Sequence, residues 1–193
     1  MQKKAVILHG TSGSPTGIPW QGMLKQMLEK ADYDVYFPQL PDCHTPNLAR
    51  YDEFLRGSGW DFQNNVIVGH SSGSTALLHL LSQNWFPKIR AAILVGTFLN
   101  EKKLHGVDWY RPGQFDNLFV ETFDPSRIAK KADAFYFVHG DDDPYCDYDE
   151  ARELCESVDG MFITIPGGKH LSASGDQSWL SKLTTKLNQD GKL

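Results

Sequence analysis

Six short apolar runs, at 5–8, 34–37, 66–68, 91–95, 134–138 and 161–165, recur along the chain, and none of them alternates strictly between apolar and polar residues. A strand with one face in water shows that alternation. A strand buried on both faces does not, and double burial is the condition of a parallel sheet covered by helices. The stretches between the runs carry the helical period. Met23, Leu24, Met27 and Leu28 share a face behind Pro19, a suitable first-turn proline, and Thr45-Pro46 opens a helix carrying Leu48, Tyr51 and Leu55. Ala151, Leu154, Cys155 and Val158 form another stripe, and Trp179, Leu180, Leu183 and Leu187 form a last one before a polar tail. Strand alternating with helix predicts an α/β fold: a three-layer, doubly wound sheet of about six parallel strands with right-handed crossovers, in one domain spanning 1–193. In such a sheet reactive groups collect at the carboxyl ends of the strands.

Composition excludes several functions before any motif is considered. The 193 residues are 40% hydrophobic and 22% charged, with a formal net charge of -5, the balance of an ordinary globular protein. The 19 Lys and Arg are scattered, which leaves no basic footprint for nucleic acid. Lys3 and Lys4 precede an apolar run too short for a signal segment or a membrane anchor. Cys43, Cys146 and Cys155 make neither an even framework nor a C-x-x-C, and the seven histidines show no H-x-x-x-H or close Cys/His cluster. A reducing, cytoplasmic setting is expected, with no metal, no membrane and no nucleic acid.

At the strand ends the chemistry concentrates. Gly69-His70-Ser71-Ser72-Gly73 lies between the run 65–68 and the helix-prone 75–81, so a G-x-S-x-G falls at a strand-to-helix junction. A serine at the apex of such a turn needs glycines two residues either side, where a side chain would collide with neighbouring backbone. Ser71 is therefore the candidate nucleophile. The small-residue loop 9–17 after the first strand has neither the G-K-[ST] of a P-loop nor a G-x-G-x-x-G, so no nucleotide cofactor is expected. It suits one wall of an oxyanion hole, with donors from the N–H groups of Thr11 and Ser72. The fourth strand ends at Gly96-Thr97. The fifth strand ends in Asp141-Asp142-Asp143, which lacks the alternating ligands of a calcium loop. After the sixth comes Pro166-Gly167-Gly168-Lys169-His170. Ser71, then an Asp, then His170, each just past a strand, follows the chain order of an α/β-hydrolase triad. Serine is a weak nucleophile unless a neutral imidazole takes its proton and a carboxylate fixes the imidazole tautomer.

These features together resemble the small α/β-hydrolase-fold serine hydrolases, a family that includes the retinoblastoma-binding serine hydrolase and its bacterial relatives. The resemblance covers nearly the whole chain and rests on the His9-Gly10 loop, the G-x-S-x-G, Asp142-Asp143-Pro144, Gly167-Gly168-Lys169-His170 and the absence of a large lid domain. It implies that the acid lies three residues after Gly140, which is Asp143. An L-x-C-x-E motif is missing, because Leu154-Cys155-Glu156 has the wrong spacing, so binding to a retinoblastoma-type pocket is not expected.

One connection, 98–124, lacks periodicity and carries aromatic residues among Gly and Pro, and irregular chain of that length is usually functional or mobile. Phe98, Trp109 and Tyr110, with Phe115, are its candidates for walls of an acyl pocket. His9 and His70 are expected to pack or orient neighbours, His79 to be structural, and His44 and His105 to be exposed. The expected activity is that of a cytoplasmic, cofactor-free serine hydrolase of carboxylic esters or small amides, with Ser71, His170 and Asp143 catalytic. The alternatives are a noncatalytic interaction module on the same scaffold and acyl transfer to an acceptor other than water.

Overall fold

The computed structural model describes residues 2–11, 13–119, 123–172 and 177–193. Six strands and six α-helices alternate: β1 (Lys3–Leu8), α1 (Pro19–Lys30), β2 (Tyr33–Tyr36), α2 (Leu48–Arg56), β3 (Val66–His70), α3 (Ser72–Ser82), β4 (Ala91–Val95), α4 (Pro125–Ile128), β5 (Phe135–Gly140), α5 (Tyr148–Ser157), β6 (Met161–Ile165) and α6 (Ser178–Gln189). The strands form one sheet in the order β2-β1-β3-β4-β5-β6, and every pairing is parallel. All six carboxyl ends therefore lie along one edge. The winding reverses between β1 and β3, which places a crevice beyond those two strands.

Side chains of the inner strands divide between two apolar layers. Ala5, Ile7, Val66, Val68, Ile93 and Val138 pack with Trp20, Leu24 and Leu28 of α1 and with Trp179, Leu180, Leu183 and Leu187 of α6. Val6, Leu8, Ile67, Leu94 and Phe137 face the opposite way, onto Tyr51 and Leu55 of α2, Leu77 and Leu81 of α3, and Cys155 of α5. Apolar side chains are needed on both faces, so the inner runs do not alternate. The edge strands differ: β2 and β6 keep several residues partly or fully exposed, because each has a neighbour on one side only.

Other differences from the sequence reading have local causes. On α1, Met23 and Met27 are exposed while Trp20 and Gln21 take the buried places, so the apolar face is rotated towards the amino-terminal side of the predicted stripe. Helix α2 opens later than Thr45-Pro46: Asn47 is its cap, accepting from the Arg50 N–H at 2.9 Å, and the Leu48 N–H donates to the Asn117 carbonyl. A short 3-10 turn, Lys102–Leu104, interrupts the irregular connection, and Phe98, Leu104, Tyr110, Phe115 and Leu118 sink into the core. That segment is anchored by its aromatic residues. Val120 to Thr122 within it, and Ser12 in the loop after β1, lie outside the described residues. No described helix is long and apolar enough to cross a membrane.

Candidate active site

Ser71 stands between β3 and α3 with φ 55° and ψ -125°, a conformation that a non-glycine residue adopts only under constraint. Its N–H donates to the Val95 carbonyl at 2.9 Å. The flanking glycines permit the turn: a Cβ on Gly69 would lie 2.5 Å from the Gly73 carbonyl oxygen, and one on Gly73 would overlap the Leu8 carbonyl oxygen. Thr11 and Ser72 come together as well, the Thr11 hydroxyl donating to Ser72 Oγ at 2.9 Å. Ser72 is the first residue of α3, so its N–H has no intrahelical acceptor.

His170 arrives from the β6–α6 loop. Its Nε2 lies 2.9 Å from Ser71 Oγ, and its Nδ1 lies 2.9 Å from Asp143 Oδ2. Ser71, His170 and Asp143 are all buried. An ionised carboxylate only accepts, so Asp143 holds the ring proton on Nδ1 and leaves the Nε2 lone pair facing the serine hydroxyl. Burial pushes the Asp143 carboxyl up, but His170 and the Tyr145 and Cys146 amides outweigh burial and hold it below the usual carboxylate range.

The three consecutive aspartates have three separate jobs. Asp141 accepts from the Gly167 N–H at 2.8 Å, Asp142 from the Lys169 N–H at 2.7 Å, and Asp143 meets the imidazole itself. Two side chains from elsewhere complete the clamp: His70 Nε2 donates to the His170 carbonyl at 2.9 Å, and Trp20 Nε1 to the Leu171 carbonyl at 2.7 Å. Such restraint is needed because Lys169 and Leu171 both have positive φ, 49° and 52°. Burial drives His70 down to about 3, so it is a neutral donor. His9 is likewise neutral through burial, and its Nε2 accepts from the Leu40 N–H at 2.9 Å.

A cavity of about 510 Å³ opens over Ser71. Phe98, Trp109, Phe115 and Tyr145 wall it, His44 and Gln114 stand with them, and among the described residues none of its lining is Lys, Arg, Asp or Glu. Of the expected pocket residues, Phe98 and Trp109 line it. Tyr110 does not: its ring stacks behind Phe115 and its hydroxyl donates to Glu101 at 2.6 Å. No sequence motif marks Tyr145, yet its ring stands edge-on to His170 at 5.1 Å and to Trp109 at 5.4 Å. Cys146 also stands in the site, although the cysteine spacing carries no sign of it. Its buried thiol lies 3.3 Å from the Gly96 carbonyl and 3.7 Å from His170 Nδ1, and burial pushes it well above the usual thiol range, so it is uncharged. All three cysteines are free and buried.

Comparison with known proteins agrees with this architecture. The ydeN gene product of B. subtilis superimposes with a TM-score of 0.77 at 21% identity, covering 87% of each chain. Est1E of Butyrivibrio proteoclasticus, solved with ferulic acid bound, gives 0.71 at 15% identity over 97% of this chain and 88% of that one. The carboxylesterase CesB of Bacillus subtilis gives 0.69 at 10% identity over 95% and 82%. Identities this low establish the fold and nothing finer. A sequence search against curated proteins found no significant match. Residues 5–188, by contrast, match the serine hydrolase family, and the chain belongs to that family.

Proposed function

We propose that this hydrolase cleaves carboxylic esters, or small amides, by acyl transfer through Ser71. His170 takes the serine proton as Oγ attacks the carbonyl and then delivers it to the leaving group. Asp143 keeps His170 in the required tautomer and stabilises the imidazolium. The Thr11 and Ser72 amides receive the oxyanion, and each such donor lowers the barrier by about 3 kcal/mol. Water then releases the acyl group. The observation that carries this reading is the unbroken relay from Ser71 Oγ through both ring nitrogens of His170 to Asp143, each step 2.9 Å. The aromatic walls, with no charged side chain among the described lining residues, suit a neutral apolar or aromatic acyl group. Ferulic acid, the ligand of the similarly folded Est1E, has an acyl group of that kind.

A fluorophosphonate ester probe tests the activated serine directly. Wild-type protein is expected to acquire one adduct, located on Ser71 by mass spectrometry, and Ser71→Ala and His170→Ala are expected to acquire none. A folded wild-type protein that stays unlabelled, or an adduct on another residue, would overturn the assignment and favour a binding role for the scaffold.

A further inference from the structure

We propose that Asp143, Cys146 and His170 also form an inhibitory site for a thiophilic divalent cation of the Zn2+ class, whose binding turns His170 into the wrong tautomer for catalysis. The inhibition rests on the hydrolase reading above; the site itself does not. One donor atom from each of the three buried residues lies within 4.8 Å of the others. Cys146 Sγ is 3.7 Å and Asp143 Oδ2 2.9 Å from His170 Nδ1. A tetrahedral Zn2+ with bonds of about 2.0 Å to nitrogen and about 2.3 Å to sulfur sets those donors about 3.5 Å apart, and nitrogen and carboxylate oxygen about 3.4 Å apart. The thiol already stands at that spacing, and the carboxylate has to open by about half an ångström.

The chemistry of the donors selects the ion. One thiolate, one imidazole and one carboxylate are softer than the all-oxygen sets that hold Mg2+ or Ca2+. Charge agrees, because a thiolate and a carboxylate cancel a divalent cation, and a buried complex of zero net charge avoids the desolvation penalty of an isolated ion. The thiol has no part in the proposed acyl transfer, and its other neighbour is the Gly96 carbonyl.

Protons account for the inhibition. The cation takes the lone pair at Nδ1, so the ring proton leaves Nδ1 and resides on Nε2, with no net change on the imidazole. The thiol proton passes to solvent, one per cation bound, and no oxidation state changes. Nε2–H then faces Ser71 Oγ and cannot accept its proton. The serine is silenced without being touched.

The test uses the full chain, freed of metal with EDTA and then titrated with Zn2+, and with Cd2+ as a spectroscopic probe. Wild-type protein is expected to bind one Cd2+ with a thiolate charge-transfer band, and to lose fluorophosphonate labelling in Zn2+ until EDTA restores it. Cys146→Ser, which keeps a donor towards the Gly96 carbonyl, is expected to show no band, to keep its own metal-free labelling rate when Zn2+ is added, and to bind Zn2+ at least about 100-fold more weakly. Cys146→Ala, checked for folding by its melt, gives a second measure, and Cys43→Ser is expected to behave as wild type. A wild type without the band, or a Cys146→Ser protein inhibited at the same Zn2+ concentration, would overturn the proposal. If the band forms and vanishes in Cys146→Ser while no form of the protein is labelled, the cation site stands and the hydrolase reading falls.

Discussion

At Asp143 one carboxylate oxygen decides which nitrogen of His170 carries the proton. Asp143→Asn changes little in shape, but its amide donates where the carboxylate accepted, which favours the tautomer with the proton on Nε2. The expected result is a fall of about 10³- to 10⁴-fold in kcat/KM for a neutral ester, with the melting temperature little changed. Retention of most of the activity would remove Asp143 from the relay. Asp142→Asn keeps an acceptor for the Lys169 N–H and serves as the control with near-normal rates. Ser71 and His170 are legible from local sequence, since each sits where a strand gives way to a Gly-flanked turn. The choice among three adjacent aspartates comes only from the family spacing that points to Asp143, because it depends on contacts with a distant loop: Asp141 and Asp142 meet amides 26 and 27 residues away, and Asp143 meets an imidazole 27 away. His70 and Trp20 grip partners 100 and 151 residues distant, and no short-range pattern records such a contact.

Among the elements, the β3–α3 turn tolerates little change. Gly73 packs so closely against the end of β1 that an added Cβ overlaps the Leu8 carbonyl oxygen, which is backbone and cannot swing aside, whereas a Cβ on Gly22 in α1 meets nothing within 4 Å. Gly73→Ala is therefore expected to cost several kcal/mol, on the order of 3 or more, or to prevent folding, and Gly22→Ala to stabilise by about 0.5–1 kcal/mol through helix propensity. Paired urea melts read both, and equal effects of the two substitutions would contradict the close approach. The inner strands are legible because burial on both faces removes polar residues from them. The edge strands and the α1 face are less so: a strand's apolar content does not say that it lacks a second neighbour, and Met23 and Met27 share a helical period with Leu24 and Leu28 although they remain in water. The connection after β4 reads as irregular because its order comes from aromatic anchors such as Phe98 and Phe115, whose ring centroids are 5.1 Å apart, and not from a repeating period.

For the molecule as a whole, the sheet brings its site together by burying histidines, and that burial makes stability depend on pH. His9, His70 and His139 are fully or almost fully inaccessible, and burial lowers the affinity of each for a proton, down to about 3 for His70. In the unfolded chain the same imidazoles titrate near 6.5. Below that pH the unfolded state binds more protons than the native one, so stability falls as pH drops, and each such group adds a slope of about 1.4 kcal/mol per pH unit. The loss begins near pH 6.5 and continues for His70 until about pH 3. Asp143 works in a lower window: its native carboxyl is held below the unfolded value, so its contribution is complete above about pH 4 and disappears as pH falls through the native value. Urea midpoints are therefore expected to be flat above about pH 7 and to decline steeply towards pH 5. His70→Gln keeps a donor for the His170 carbonyl but has nothing to protonate. It is expected to start from lower stability at neutral pH and to decline with a shallower slope. Parallel curves for the two proteins would mean that His70 is not the buried neutral group the fold makes it, and that the acid sensitivity arises elsewhere.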